Sequence, residues 1–328
     1  MIKSTNMRNL VVAGALLTGA LMGQTRPSQP APSCDRACLE GFVNQYLDAL
    51  LAHNVFGLPL APKVKFSEND QLLELGDGMW NVVTGIGSYK IYVADPQSGQ
   101  VGFIGTVREN DRPVALALRL KIENKKISEI ETIVESAAAG PPPGRGAAAN
   151  APPPPPTGAV AMEELKPDPV FSETLPPIQR VSRDALMKAA NSYFEAIEKG
   201  DAAFSSFDPL CNRLENGVRA ACGEQINTKT LSYIQTVYPR RFPVVDEERQ
   251  LVFGFFMYQI PGDILSVESP GRGTHKFSAA QTAPSFADVP ALFRIKSGKI
   301  RRIESLMVSV PYGTPNPFFN DDWRRPKR

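Results

Sequence analysis

The residues best equipped for chemistry stand in two short phrases. Lys65-Phe66-Ser67-Glu68-Asn69-Asp70 and Asn212-Arg213-Leu214-Glu215-Asn216-Gly217 both carry a Glu-Asn pair. A glutamate shielded from water can act as a general base, and an asparagine beside it can hold a ligand oxygen. The same pair also suits a tight turn, because asparagine tolerates a left-handed backbone. For Glu68 and Asn69 the turn role is slightly preferred, with ligand contact as the functional alternative. In the second phrase Asn212 and Arg213 tip the balance towards a site. Arg213 could neutralise a ligand carboxylate, or it could pair with Glu215. Glu215, Asn216 and Arg213 are therefore the leading catalytic candidates, with Asn212 a ligand contact.

Other polar groups carry weaker signals. Asp246-Glu247-Glu248-Arg249, with Arg240-Arg241 upstream, is the densest charge cluster. Asp246 could belong to an anion or metal site, but flanking β-rich runs favour a solvated turn. Asp77 and Trp80 lie in Gly76-Asp77-Gly78-Met79-Trp80, where Asp77 could stand at a cavity mouth and Trp80 could form its wall. His275 lies in the glycine-rich stretch 269–276, read as a loop or a lid. His53 closes the first helix, where a cap role outweighs a catalytic one. Tyr193, Tyr258 and Tyr312 could donate to a developing oxyanion, with Tyr258 also a ligand contact. No phosphate-binding loop, dinucleotide fingerprint, nucleophile elbow or metal-ligand spacing is present, so neither cofactor nor metal is expected.

The elements that must position these residues occur twice. Leu39, Phe42, Val43, Tyr46, Leu47 and Leu50 fall at helical spacing, as do Leu186, Ala189, Ala190, Tyr193, Phe194 and Ile197. Ser182 and Gly200 suit the start and stop of the second helix. Each helix is followed by its Glu-Asn phrase and then by a hairpin, turning at 95–100 in one case and 246–250 in the other. Each series closes on a second hairpin containing Lys-Ile-x-x-Ile-Glu, at 126–131 and 299–304. Two α+β modules, 34–136 and 180–315, are implied, each burying one helix against one sheet.

A leading helix, several hairpin strands and a closing Lys-Ile-x-x-Ile-Glu hairpin resemble the SnoaL-like, nuclear transport factor 2-like superfamily. The phrases Cys211-Asn-Arg-Leu-Glu-Asn-Gly, Arg240-Arg-Phe-Pro-Val-Val-Asp-Glu-Glu-Arg and Pro311-Tyr-Gly look like parts of an uncharacterised family of fungi and bacteria. The resemblance implies cone-shaped modules, each a curved antiparallel sheet wrapped on helices around an apolar cavity. It does not license one function. Two readings follow. The first is a cofactor-free lyase, isomerase or hydrolase acting on a small apolar oxygenated molecule in the second module. The alternative is a binding or interaction protein without catalysis. Sheet-to-sheet pairing in the superfamily suggests an internal pseudo-dimer.

Composition bounds the rest. Of 328 residues 42% are hydrophobic, enough for two cores. With 36 basic against 34 acidic residues, no nucleic-acid footprint is visible. Residues 1–24 read as an export signal, with Lys3 and Arg8 before an apolar run too short to span a bilayer. The mature chain is thus expected in the periplasm or secreted, without membrane attachment. That compartment permits disulfides. Four cysteines allow three pairings, and one bridge per module, Cys34–Cys38 and Cys211–Cys222, is the economical choice. Residues 137–179, rich in Pro, Ala and Gly, read as a spacer, and 316–328 as a basic tail.

Overall fold

The computed structural model describes Met1 and residues 34–136 and 158–319. The expected export segment, the first half of the expected spacer (137–157) and residues 320–328 of the expected tail lie outside the described residues.

The first module begins with α1 (Arg36–Leu51), whose N-terminus is capped by Asp35 accepting from the Cys38 amide at 2.9 Å. Its strands are β1 (Leu60–Glu68), β2 (Gln71–Leu72), β3 (Val83–Asp95), β4 (Gln100–Glu109), β5 (Arg112–Glu123) and β6 (Lys126–Ser136). A short arm with α2 (Gly158–Glu163) leads to the second module. That module opens with α3 (Arg183–Lys199), capped by Ser182 and closed by Gly200 at φ 62°. Asp184 in its first turn and Lys199 in its last complement the helix dipole. Then come β7 (Phe207–Glu215), β8 (Val218–Ala221), α4 (Glu224–Asn227), β9 (Thr236–Asp246) and β10 (Leu251–Ile260). A small hairpin, β11 (Ser266–Ser269) with β12 (Gly273–Lys276), and α5 (Ala279–Thr282) precede β13 (Ser285–Lys296), β14 (Lys299–Ser305) and β15 (Val308–Pro311).

The two main sheets have the same strand order, β2-β1-β6-β5-β4-β3 and β8-β7-β14-β13-β10-β9, with β15 added beside β13. Both are antiparallel except at one pair each, β1 with β6 and β7 with β14, which run parallel. The two modules also alternate alike, and β1 and β7 have the same burial pattern residue by residue. Each module is thus an α+β unit, a curved and mostly antiparallel sheet packed on a helix. Both disulfides form as expected, with Cα–Cα distances of 5.3 and 5.6 Å.

Three large apolar clusters organise the packing. One lies between α1 and its sheet and one between α3 and its sheet. The third joins the outer faces of both sheets, combining Tyr89, Ile91, Ile104 and Ala117 with Val244, Leu251, Phe253 and Leu292. Gly102 on β4 makes the close approach possible, since a Cβ there would lie 2.2 Å from the Phe253 ring.

The contacts across this seam are reciprocal. Arg36, first in α1, donates to Asp246 of the second module at 2.6 and 2.8 Å. Arg183, first in α3, donates to Asp95 of the first module at 2.5 and 3.1 Å. The glutamates of the two Lys-Ile-x-x-Ile-Glu phrases also cross: Glu131 meets Arg241, and Glu304 accepts from the Tyr89 hydroxyl. Burial, above all, pushes Glu304 up to about 7.

Two boundaries differ from the sequence reading. Residues 158–179 are not a spacer: Ala159, Met162, Phe171 and Leu175 are buried. Ala159, Met162 and Phe171 join the seam cluster, and their scattered spacing gives no periodic signature. Residues 316–319 are docked rather than part of a tail. Asn316 is buried, and Phe319 packs edge-on against Tyr238 at 5.5 Å.

Candidate functional site

Strand alternation sends Arg213 and Glu215 of β7 to the helix-bearing face, and Asn212 and Leu214 to the other. Leu214 accordingly joins the seam cluster. Arg213 is buried, and its Nη1 donates to the Tyr193 hydroxyl of α3 at 2.6 Å. Its Nη2 donates to Gln225 of α4, and the Glu215 carboxylate stands 3.6 Å away. The Arg213 Nε is buried without a partner. Tyr258 of β10 is bonded to Tyr193, extending the cluster inward.

Electrostatics keep this cluster in a donating state. Burial opposes the Arg213 charge, but Tyr193, Glu215 and Tyr258 outweigh it and the guanidinium pKa is raised. Burial is also the largest cause raising the phenols of Tyr193, Tyr258 and Tyr233 above their ordinary range. All three remain protonated and available as donors through neutral pH.

Beside the cluster opens a cleft of about 480 Å³ whose walls include Glu215, Thr230, Tyr233, Arg272, His275 and Gln281. Tyr233 is hydrogen bonded to Gln281. Gln225 and Leu231 stand between this cleft and a closed recess at Arg213 with no room for a water molecule. The Cys211–Cys222 bridge ties β7 to the segment bearing α4, and so fixes Gln225 relative to Arg213. Apolar side chains fill the space beneath α3, and the lining of this cleft is mainly polar.

The structure thus brings together Arg213, Glu215, Tyr258 and His275 of the sequence candidates. His275 lies on β12, so residues 269–276 belong to a hairpin rather than a mobile loop. Asn216 does not join them. At φ 43° it turns the chain after β7 and clamps the Met307 peptide, donating to its carbonyl at 3.1 Å and accepting from its amide at 2.9 Å. Asn69, at φ 48°, does the same to Val134 at 3.2 and 2.8 Å. The repeated asparagine is therefore a structural clamp. Glu68 accepts from the Met79 amide at 3.0 Å and has its pKa raised by burial.

The remaining candidates lie elsewhere. Asp246 is buried at the seam in its pair with Arg36 and accepts from the Arg249 amide at 2.9 Å, closing the β9–β10 turn. Asn212 is half-buried on the face away from the cleft, with its Oδ1 unpartnered. Asp77 is exposed and its side chain caps nothing. Trp80 is buried in the first core, edge-on to Tyr46 at 5.3 Å. His53 follows α1 in a left-handed conformation and meets the Trp80 carbonyl. Tyr312 is exposed against Phe286. Sequence reasoning missed Tyr233, Gln225 and Gln281, which sit on short elements without periodicity. No grouping of three or more metal-ligating side chains occurs among the described residues. None of the described helices is long and apolar enough to cross a membrane.

A family profile described as a domain of unknown function, DUF8021, matches residues 179–307, which span α3 to β14. No curated protein matches the chain. Solved structures similar to it include a candidate polyketide cyclase from Xanthomonas campestris pv. campestris. That match has 14% identity and a TM-score of 0.27, covering 38% of this chain and 90% of the other. A second candidate polyketide cyclase, from Silicibacter sp. TM1040, has 10% identity and a TM-score of 0.28, with coverages of 39% and 92%. AusH from Aspergillus nidulans has 12% identity and a TM-score of 0.28, with coverages of 40% and 90%.

Proposed function

We propose that the chain is an exported, cofactor-free enzyme whose second module moves a proton on a small oxygen-bearing organic molecule. The carrying observation is the buried Arg213–Tyr193–Tyr258 cluster with Glu215 between it and the cleft. In this reading Glu215 takes the proton and His275 stands at the rim as a second proton-handling group. Arg213 and the tyrosines stabilise the oxyanion that forms, a role in which donors fixed in a dry site are most effective. Gln225 and Leu231 must swing aside for a ligand oxygen to reach Arg213. The first module serves as a supporting partner in an internal pseudo-dimer, which the reciprocal seam contacts favour. The two disulfides are compatible with an oxidising compartment.

A second reading, binding without turnover, is favoured by one observation: Gln225 already occupies Arg213. The test is to incubate the purified protein with small aromatic and polyketide-like compounds, following binding and turnover together. Turnover that falls about 10²-fold or more in Glu215→Gln and Arg213→Ala supports the enzyme. Turnover indifferent to both substitutions sinks the site. Saturable binding with no turnover across the panel favours the binding protein.

A further inference from the structure

One end of the seam holds more acid than its cations can neutralise. Arg119 of β5 donates to Glu131 at 2.6 Å and to Glu129 at 2.8 Å. Arg241 of β9 pairs with Glu131 at 2.6 Å. Lys121 meets Glu123 at 3.0 Å and Glu129 at 3.5 Å, so three cations are matched by three glutamates. Two carboxyls remain, Asp70 from the β1–β2 turn and Asp288 from β13, which are 3% and 1% exposed. They come from different modules and lie within hydrogen-bonding reach of each other. Asn316 donates to Asp70 at 2.9 Å, and its own Oδ1 accepts from Arg241 at 3.2 Å. Phe318 covers the cluster, its ring centre 4.6 Å from Arg119, 5.4 Å from Arg241 and 4.8 Å from the Lys65 ammonium. On the remaining side, β15 sets Val308 opposite Asp288 and adds no charge.

Two adjacent carboxylates in a dry site with no cation of their own cannot both be ionised. The Oδ2 atoms of Asp70 and Asp288 are both buried without a partner unless a proton lies between the side chains. We propose that Asp70 and Asp288 share one proton across the seam and make the docking of the two modules pH-sensitive, tight in acid and loosened in alkali. Burial, above all, raises both carboxyls, Asp70 up to about 7 and Asp288 well above its usual range. The sign follows. An unfolded aspartate releases its proton near pH ~4, whereas the folded pair keeps one. Stability therefore falls as pH rises from there, through about 7 where Asp70 titrates, and further while Asp288 still holds its proton. The effect reaches the cleft along β13, because Ala287, next to Asp288, pairs with Tyr258.

The test compares thermal midpoints of the full chain and of Asp288→Asn, whose amide mimics the protonated acid. At pH ~5.5 the two midpoints should agree within about 2 °C, and at pH ~8.5 the variant should melt higher by on the order of 5 °C. A difference between the two proteins that does not change with pH overturns the proposal. Asp70→Asn provides the same comparison from the other module. If neither variant folds, amide exchange across β13 of the unaltered protein decides. Protection that drops between pH ~5.5 and ~8.5, after correction for intrinsic rates, supports the shared proton. Unchanged protection overturns it.

Discussion

Phe66 and Arg213 occupy the same place in the two modules, two residues before the glutamate that ends β1 and β7. Both are buried, and both pair with an isoleucine of the parallel neighbour strand, Ile130 or Ile303. Tyr46 and Tyr193 face them from the same turn of α1 and α3. In the first module Tyr46 packs on Trp80, and the core closes over Phe66 and Met79. In the second, Tyr193 accepts from Arg213, and the chain beyond β7 supplies Gln225, Leu231 and Tyr233 in place of an indole. One frame thus supports either a filled core or a polar recess. The difference rests on one buried side chain and on the segment after the clamp asparagine.

The comparison can be broken most forcefully at the seam, which both modules need. Phe253→Ala removes the side chain that fills the space above Gly102 and should cost about 3–5 kcal/mol in urea unfolding. A loss below about 1 kcal/mol would mean the modules do not depend on each other. Gly102→Val addresses the same contact by overpacking and should cost about 1–3 kcal/mol. Next comes Arg213→Phe, which writes the first module's residue into the second. Loss of the guanidinium leaves Tyr193 and Gln225 without their donor and should cost about 1–3 kcal/mol, while turnover falls about 10²-fold. Smaller effects sharpen the reciprocity. Arg36→Ala and Arg183→Ala each strand a buried aspartate and should each cost about 1–3 kcal/mol. Unequal losses would show that the two halves of the seam are not equivalent. Asn69→Ala and Asn216→Ala should each cost about 1–2 kcal/mol by loss of the peptide clamp, read as a lower midpoint in denaturant.

Much of the fold was legible because it is local. Helical spacing at Leu39 to Leu50, strict alternation through Leu116 to Leu120 and turn residues at 95–100 each report a short-range constraint. The repetition of these features in one order revealed the duplication. Arg213 and Glu215 were legible as a pair because i and i+2 on a strand share a face. The rest depends on what covers the sheets. Glu131 and Glu304 sit on outer faces that a lone module would show to water, so nothing in the sequence marks them as buried. Asp246 read as a solvated turn for the same reason, since its partner Arg36 is 210 residues away. Ala115 and Ala117 gave a quieter signal. Such small residues on an outer face let another sheet approach, and they stand in the seam.

The reciprocal fastening of Arg36 to Asp246 and Arg183 to Asp95 bears on how this protein can be handled at the bench. The matched family segment, 179–307, contains the whole candidate site but only half of each fastening. Produced alone, it would present Val244, Leu251, Phe253, Phe255 and Leu292 to water as one contiguous oily face. Asp246 would lose its guanidinium and Arg183 its carboxylate. A fragment cut at those bounds should therefore precipitate or self-associate, and an assay on it would report the missing half rather than the chemistry.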